Sequence, residues 1–117
     1  MSDVFTIKTG GKNRWLFFDM GIDLTLAAAV KFSMRTRELQ VVKIAAAAAQ
    51  IGNGTYSIDG VQTVLTPAMG VAFYPWPGAN DLDTPGDYEF EFTAVFPGGN
   101  DITPTYGYKP MIIQKAI

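Results

Sequence analysis

Hydrophobic and polar residues alternate along much of the chain, which is the pattern of strands with one buried and one solvated face. The alternation is clearest over 88–96, which reads YEFEFTAVF. One face carries Tyr88, Phe90, Phe92, Ala94 and Phe96, and the other carries Glu89, Glu91 and Thr93. A helix would spread these aromatic side chains around its whole circumference. The segment is therefore predicted to be a strand whose aromatic face lies in the core.

Weaker versions of the same pattern predict further short strands before and after this one. They cover Val4–Lys8, Arg14–Phe18, Val30–Arg35, Leu39–Ile44, Thr55–Ile58, Val61–Leu65, Val71–Tyr74 and a closing segment, Tyr106–Ile113, which continues towards Lys115. Asp59-Gly60 is a strong two-residue hairpin signal between two of them. About eight short strands divided by Gly, Pro and Asp predict an all-β fold, an antiparallel β-sandwich. We expect the first and last strands to be its edges, where Lys8 and Lys115 would discourage unwanted pairing.

The run Ala45–Ala49 interrupts the alternation. Alanine has the best helix propensity, but five residues cannot sustain an isolated helix in water. The favoured interpretation is one helical turn or a plain extension of a strand. The alternative is a surface of small residues, at Ala45, Ala47 and Ala49, where the backbone of a neighbouring subunit can approach closely.

Composition narrows the class of protein. The chain has 117 residues, of which 48% are hydrophobic and 17% charged, and this predicts one globular domain over 1–117. It contains neither His nor Cys, which excludes disulfides, Cys- or His-ligated zinc, and Ser-His or Cys-His nucleophilic pairs. We therefore expect no cofactor, and most classes of enzyme are disfavoured.

Charge is distributed unevenly between the two halves of the chain. Residues 1–43 hold seven Lys and Arg against four acids, whereas residues 44–108 hold seven acids and neither Lys nor Arg. This asymmetry suits head-to-tail contacts between copies, although two ordinary solvated faces would also produce it. Neither half has the clustered positive charge of a nucleic-acid-binding protein. With no apolar run long enough for a bilayer and no secretory signal, we expect a soluble protein with no nucleic-acid or membrane partner.

The acidic residues offer two candidates for chemistry, and each has a simpler explanation. Asp81–Glu89 resembles a calcium loop, but Pro85 occupies the fifth position, where an EF-hand needs an oxygen ligand. A tight turn over Thr84–Asp87 is favoured instead. Glu89 and Glu91 are spaced like the paired carboxylates of glycosidases, yet both are expected on a solvated face. The sequence therefore predicts no catalytic and no metal site, and a protein that is not an enzyme.

The segment 74–78, YPWPG, holds a tryptophan between two prolines. The favoured interpretation is a lid that folds onto the end of the core. The alternative is a partly exposed anchor for a protein or a carbohydrate, because tryptophan is enriched in binding hot spots. Tyr74 and Trp76 are therefore candidate contact residues.

Several short motifs follow one another in an order that resembles a known domain. They are Asp23-Leu24-Thr25, the segment 29–35 (AVKFSMR), Ala72-Phe73-Tyr74 with Trp76, the segment 83–92 (DTPGDYEFEF), Phe96 with Gly98-Gly99, and Pro104 with Tyr106-Gly107-Tyr108. Their succession over roughly residues 4–115 is similar to the N-terminal domain of the upper baseplate proteins of siphophages. The resemblance implies an immunoglobulin-like β-sandwich that acts as an assembly module in a virion, and it carries over no catalytic residue.

Two features differ from that family. The loop Leu26–Ala29 is longer than the Gly-containing turn expected there. Upper baseplate proteins also continue into long C-terminal regions that build arms or carry receptor binders, whereas a chain of 117 residues is expected to comprise one domain only. A single-domain version suits a tail accessory, an adaptor or a decoration subunit.

The leading hypothesis is a non-enzymatic structural subunit of a tailed-phage virion. As a tail or baseplate accessory or adaptor it would dock on other virion proteins, and it would form a homo-oligomer in the particle. Its docking surfaces would be the edge strands with Lys8 and Lys115, the Trp76 loop and the alanine run. The alternative within this class is a decoration or head-fibre-anchoring protein on the major capsid protein. A different class is a carbohydrate-binding module in which Tyr74, Trp76 and Tyr106 stack on sugars.

Overall fold

The computed structural model describes residues 4–103 and 108–116. Within them the chain forms ten β-strands and one short 3-10 helix. The strands are β1 (Phe5–Lys8), β2 (Leu16–Asp19), β3 (Ala29–Thr36), β4 (Val42–Ile51), β5 (Gly54–Ile58), β6 (Val61–Leu65), β7 (Val71–Tyr74), β8 (Gly86–Phe96), β9 (Asn100–Ile102) and β10 (Lys109–Gln114), and the 3-10 helix is Pro67–Met69. The all-β prediction is confirmed, with ten strands where about eight were expected.

One continuous path of hydrogen-bonded strands builds both layers of a sandwich-like arrangement. Its order is β1-β10-β8-β3-β4-β7-β2, and β9 adds to β8. The strand β4 connects the layers, because it pairs with β3 as far as Ala49 whereas only Gln50 and Ile51 pair with β7. The strands β5 and β6 form a separate two-stranded hairpin. An immunoglobulin-like connectivity stays a prediction.

The core lies between the β3–β8 pair and the β2–β7 pair. Alternate residues of the two central strands are buried, namely Val30, Phe32 and Met34 of β3 and Tyr88, Phe90, Phe92 and Ala94 of β8. The rings of Phe32 and Tyr74 stack across the layers at 4.3 Å, and those of Phe18 and Phe92 stack at 5.6 Å. Each fully buried aromatic side chain contributes about 2–3 kcal/mol of transfer free energy. The predicted aromatic face of β8 is therefore confirmed as a core face.

The hairpin signal in the sequence is also confirmed. Asp59 and Gly60 connect β5 to β6 with φ angles of 51° and 82°. Positive φ at both central residues is the geometry of a type I′ turn, whose twist matches that of the flanking strands. The Asp-Gly pair suits it because both residue types tolerate the left-handed region.

The prediction for the sheet edges is half wrong. The last strand, β10, lies between β1 and β8 and is therefore not an edge. Its inward-facing Met111 and Ile113 are fully buried, but an edge strand can also bury one face. The strand β10 is interior because β1 pairs with one of its sides and β8 with the other. The first strand, β1, is an edge strand as expected, but it runs parallel to β10, so the arrangement is not purely antiparallel.

Candidate functional site

Both aromatic residues of the predicted docking loop are buried. Tyr74 is 2% exposed and Trp76 is 1% exposed, so their assignment as surface contact residues is wrong. The indole Nε1 of Trp76 donates a hydrogen bond to the carbonyl oxygen of Arg14 at 3.0 Å. Its ring packs edge-on against Phe32 at 5.8 Å and stacks on Phe5 at 6.4 Å. The loop is a lid on the core, as the favoured interpretation of the sequence held.

A carboxylate fixes this lid from within. Asp81, which is 9% exposed, accepts a hydrogen bond from the backbone N–H of Gly78 at 2.8 Å and another from the Tyr74 hydroxyl at 3.4 Å. Burial raises the pKa of the Tyr74 phenol to about 12, and the negative charge of Asp81 adds to the effect. Lys12 closes the loop from the other side by donating to the Gly78 carbonyl at 2.7 Å. Asp81 therefore holds the loop together, which is a structural role.

The alanine run forms the exposed edge of a strand. Over Val42–Ala49 the strand β4 pairs with β3 on one side, and within the described residues no strand pairs with its other side. We call this segment the β4 edge. Ala45 and Ala48 are exposed, whereas Ala47 and Ala49 are half-buried against the core. The predicted strand extension is confirmed. The alternative, a surface where the backbone of a neighbouring subunit approaches closely, stays a prediction with which the exposed edge agrees.

Two irregularities interrupt the pairing of the β4 edge with β3, and one of them lies at Ala46. Ala46 has a φ of 47°, and the register shifts between Phe32 and Met34 of the neighbouring strand. The N–H of Ala46 donates to the Ser33 hydroxyl at 3.0 Å, so this amide is already bonded. A second register shift, between Met34 and Arg35, places another irregularity at Lys43. The part of the edge that pairs with β3 in unbroken register is therefore Ala47–Ala49.

Large apolar side chains are exposed where β4 begins. Leu39 is 82% exposed, Val41 57% and Val42 61%. We call these three residues the Leu39 corner. Natural edge strands are usually protected by charged side chains, and Lys43 is the only charged residue in β4. The Lys43 ammonium forms an ion pair with the Asp83 carboxylate at 2.7 Å. This contact also lowers the pKa of Asp83.

The other predicted contact residues lie on or next to β1 and β10, three and more strands away from β4 in the strand order. Lys8 is exposed in the edge strand β1, and Lys115 is exposed beyond the end of β10. Tyr106, the third predicted sugar-stacking residue, lies outside the described residues.

The sequence predicts a solvated face for Glu89 and Glu91 of β8, whereas both residues are half-buried. The carboxylate of Glu89 forms an ion pair with Arg35 at 2.5 Å, and the Arg35 guanidinium in turn lies 3.8 Å from the centre of the Tyr108 ring. Arg35 therefore neutralises Glu89 within the sheet. In the described part of the chain, no group of three or more acidic residues gathers where it could hold a metal ion.

A groove that the sequence did not indicate lies between the N-terminal strands and the β5–β6 hairpin. We call it the aromatic groove; its volume is about 570 Å³. Its aromatic lining residues are Phe5, Trp15, Phe17 and Tyr56, and its polar ones include Asn13, Arg14, Thr55, Ser57 and Asp59. Trp15 is 39% exposed. The cluster RWLFF at 14–18 is a visible signal in the sequence, but its partner Tyr56 is about forty positions away.

Comparisons with protein-family models, with curated proteins and with solved structures gave no significant match to this chain. Within residues 4–103 and 108–116, no helix combines the length and apolar character needed to cross a membrane.

Proposed function

We propose that this protein is a non-enzymatic structural subunit of a tailed-phage virion that docks on other virion proteins by strand pairing at the β4 edge. The observation that carries the proposal is the combination of an exposed, nearly uncharged strand edge with the apolar Leu39 corner beside it. The resemblance of the motif order to upper baseplate N-terminal domains supports the virion setting.

An exposed edge can accept one more strand. Along an edge strand, alternate residues point their N–H and C=O groups away from the sheet, where an added strand can bond to them. Such strand addition derives affinity from main-chain hydrogen bonds and specificity from neighbouring side chains. Side chains stand perpendicular to the sheet, so the exposed methyl groups of Ala45 and Ala48 would lie beside the side chains of an added strand and leave room for them. Docking therefore accounts for the small side chains of the alanine run, whereas packing of the core does not require them.

The Leu39 corner supplies apolar contact area next to the edge. Burying a Val or Leu side chain contributes about 1.5–3 kcal/mol, so covering Leu39 and Val42 in an interface would stabilise it substantially. The ion pair between Lys43 and Asp83 leaves the corner without a free ammonium group, which a neighbouring apolar surface would otherwise have to desolvate.

The location in the particle divides this proposal into two forms. A tail or baseplate accessory or adaptor leads, because the resemblance is to tail and baseplate domains. A capsid decoration or head-fibre-anchoring protein is the second form, since repeated copies on a capsid would use the same kind of edge. Either form implies several copies in the particle.

The first experiment asks whether the chain is in the particle at all and where. Virions of the phage that encodes it are purified and analysed by mass spectrometry, and the chain is then gold-labelled through a tag. We expect to find the chain in virions. The gold label should lie at the tail if the leading form is right and over the whole head if the second form is right. Virions that lack the chain would overturn the proposal.

The second experiment tests the docking surface. Val42→Lys places a charge in the Leu39 corner, and Val64→Lys makes the same change on β6 at a site of nearly equal exposure, 65% against 61%. Both variants should fold, because both side chains already face solvent. We expect Val42→Lys to lower incorporation into virions about tenfold or more and Val64→Lys to leave it unchanged. Equal incorporation of both variants would exclude the β4 edge as the docking surface.

A further inference from the structure

We infer that the aromatic groove is a binding site for an oligosaccharide built of neutral sugars. The groove is concave, its volume of about 570 Å³ falls within the range of small-ligand sites, and it combines aromatic walls with a few polar groups, as such sites do. The inference does not rest on the proposed virion role, because the groove and the β4 edge involve different residues.

The floor of the groove is a preorganised set of aromatic rings. The buried ring of Phe73, 1% exposed, stacks under Trp15 at 5.2 Å with an angle of 4° between the rings. It also contacts Phe17 at 4.9 Å and Tyr56 at 5.1 Å. Phe73 thus packs against one face of the indole, while Trp15 stays 39% exposed and lines the groove. A flat apolar indole face that is held still by its neighbour matches the C–H face of a pyranose ring and loses little entropy on binding.

The rim supplies hydrogen-bonding groups of both kinds. Arg14 Nε lies 3.1 Å from Asp59 Oδ1, and the guanidinium is further fixed by a hydrogen bond to the Thr6 carbonyl and by its position 4.6 Å from the centre of the Phe5 ring. Asp59 stays 65% exposed, at the tip of the β5–β6 hairpin. Vicinal sugar hydroxyls both donate and accept hydrogen bonds, so they can bond to a carboxylate and a guanidinium side by side.

The charge of the rim favours neutral sugars. Asn13, Thr55 and Ser57 line the groove along with Arg14 and Asp59, so one positive and one negative charge cancel. The lining therefore offers no net positive charge that would attract an anionic sugar.

A proline-rich peptide is the obvious competitor, because aromatic grooves also bind such segments. Asp59 accepts from Arg14 at one oxygen and is otherwise 65% exposed, so its remaining lone pairs face water. Prolines have no N–H groups that could replace this water when a peptide covers the rim. A carboxylate that loses its water without gaining a donor is costly. An oligosaccharide provides the missing donors, and the groove therefore fits it better.

The experiment uses the purified full chain and isothermal titration with a panel of neutral oligosaccharides, two to six rings long, with glucose, galactose, mannose and rhamnose units. A proline-rich peptide is titrated in parallel. We expect at least one oligosaccharide to bind saturably and the peptide not to bind. Binding of the peptide alone, or of no oligosaccharide in the panel, would overturn it.

Substitutions locate the binding in the groove. Trp15→Ala should weaken the affinity at least about tenfold, because it removes the stacking face, whereas Trp15→Tyr should retain part of it. Asp59→Asn keeps the hairpin, since Asn-Gly is a preferred type I′ pair, and should weaken binding several-fold. Asp101→Asn, at an exposed acid on β9, is the matched control and should have no effect. Circular dichroism establishes that each variant is folded, and a folded Trp15→Ala variant with unchanged affinity would refute the site.

Discussion

Replacing Trp76 with phenylalanine tests whether the tryptophan stabilises the fold, as its burial implies, or serves as a contact residue. The substitution keeps an aromatic ring and a Cβ at a position whose φ is 57°, so the backbone strain is the same in both proteins. It removes the donor that bonds to the Arg14 carbonyl at 3.0 Å, which costs about 1–2 kcal/mol when the acceptor is left unpaired. The smaller ring also loses contact with Phe5 and Phe32, and the resulting cavity costs about 1 kcal/mol. The total expected loss in the free energy of unfolding is about 2–3 kcal/mol.

The assay is equilibrium unfolding in urea, followed by far-ultraviolet circular dichroism so that the loss of an indole does not alter the readout. Trp15→Phe is the matched control. Trp15 is 39% exposed and stacks on Phe73, and a phenylalanine can keep part of this stacking. The substitution should therefore lower the free energy of unfolding by less than about 1 kcal/mol. A Trp76→Phe variant as stable as the wild type, or one less affected than Trp15→Phe, would show that Trp76 does not stabilise the fold as part of a lid.

Two further predictions concern pH and backbone conformation. Because the pKa of Tyr74 is raised to about 12 in the folded protein, its neutral form contributes stability below pH 10, and that contribution is lost as the pH rises from 10 to 12. Urea unfolding at these pH values should show the wild type losing up to about 1.4 kcal/mol per pH unit more than Tyr74→Phe, and parallel curves would contradict the assignment. Gly70 has a φ of 77°, and a Cβ there would overlap the carbonyl oxygen of Ile22, so Gly70→Ala should cost about 3 kcal/mol or more. Gly98→Ala, with a φ of 91° and open space around the position, should cost only about 1 kcal/mol in thermal or urea unfolding, and equal losses in the two variants would contradict the packing at Gly70.

The fold could be predicted where the information is local. The alternation in β8 and β3 identifies their buried faces, because side chains point to opposite sides of a strand. The Asp59-Gly60 pair identifies the hairpin, because few residue types accept two positive φ angles in succession. Strand order is not local information. The alternation in the last strand shows that Met111 and Ile113 face the core, but not that β1 pairs with it in parallel on one side and β8 on the other.

The candidate surfaces were predictable only in part, for the same reason. The two prolines beside Trp76 restrict its backbone, but its burial depends on Phe5 and on the Arg14 carbonyl, both more than sixty residues away in the sequence. The alanine run was predicted as a strand extension, yet its exposed edge follows from the strand order. The aromatic groove needs the contact of Phe17 and Phe73 with Tyr56 of the hairpin, which no spacing in the sequence reveals.

The most direct test of docking at the β4 edge is amide hydrogen exchange of residues 42–49, compared between the free protein and purified virions. In the free protein, the amides that point away from β3 should exchange rapidly, because within the described residues no strand covers them. An added strand would bond to these amides, so we expect their exchange to slow at least about tenfold in virions. Equal exchange rates at residues 42–49 in the two samples would exclude docking at the β4 edge.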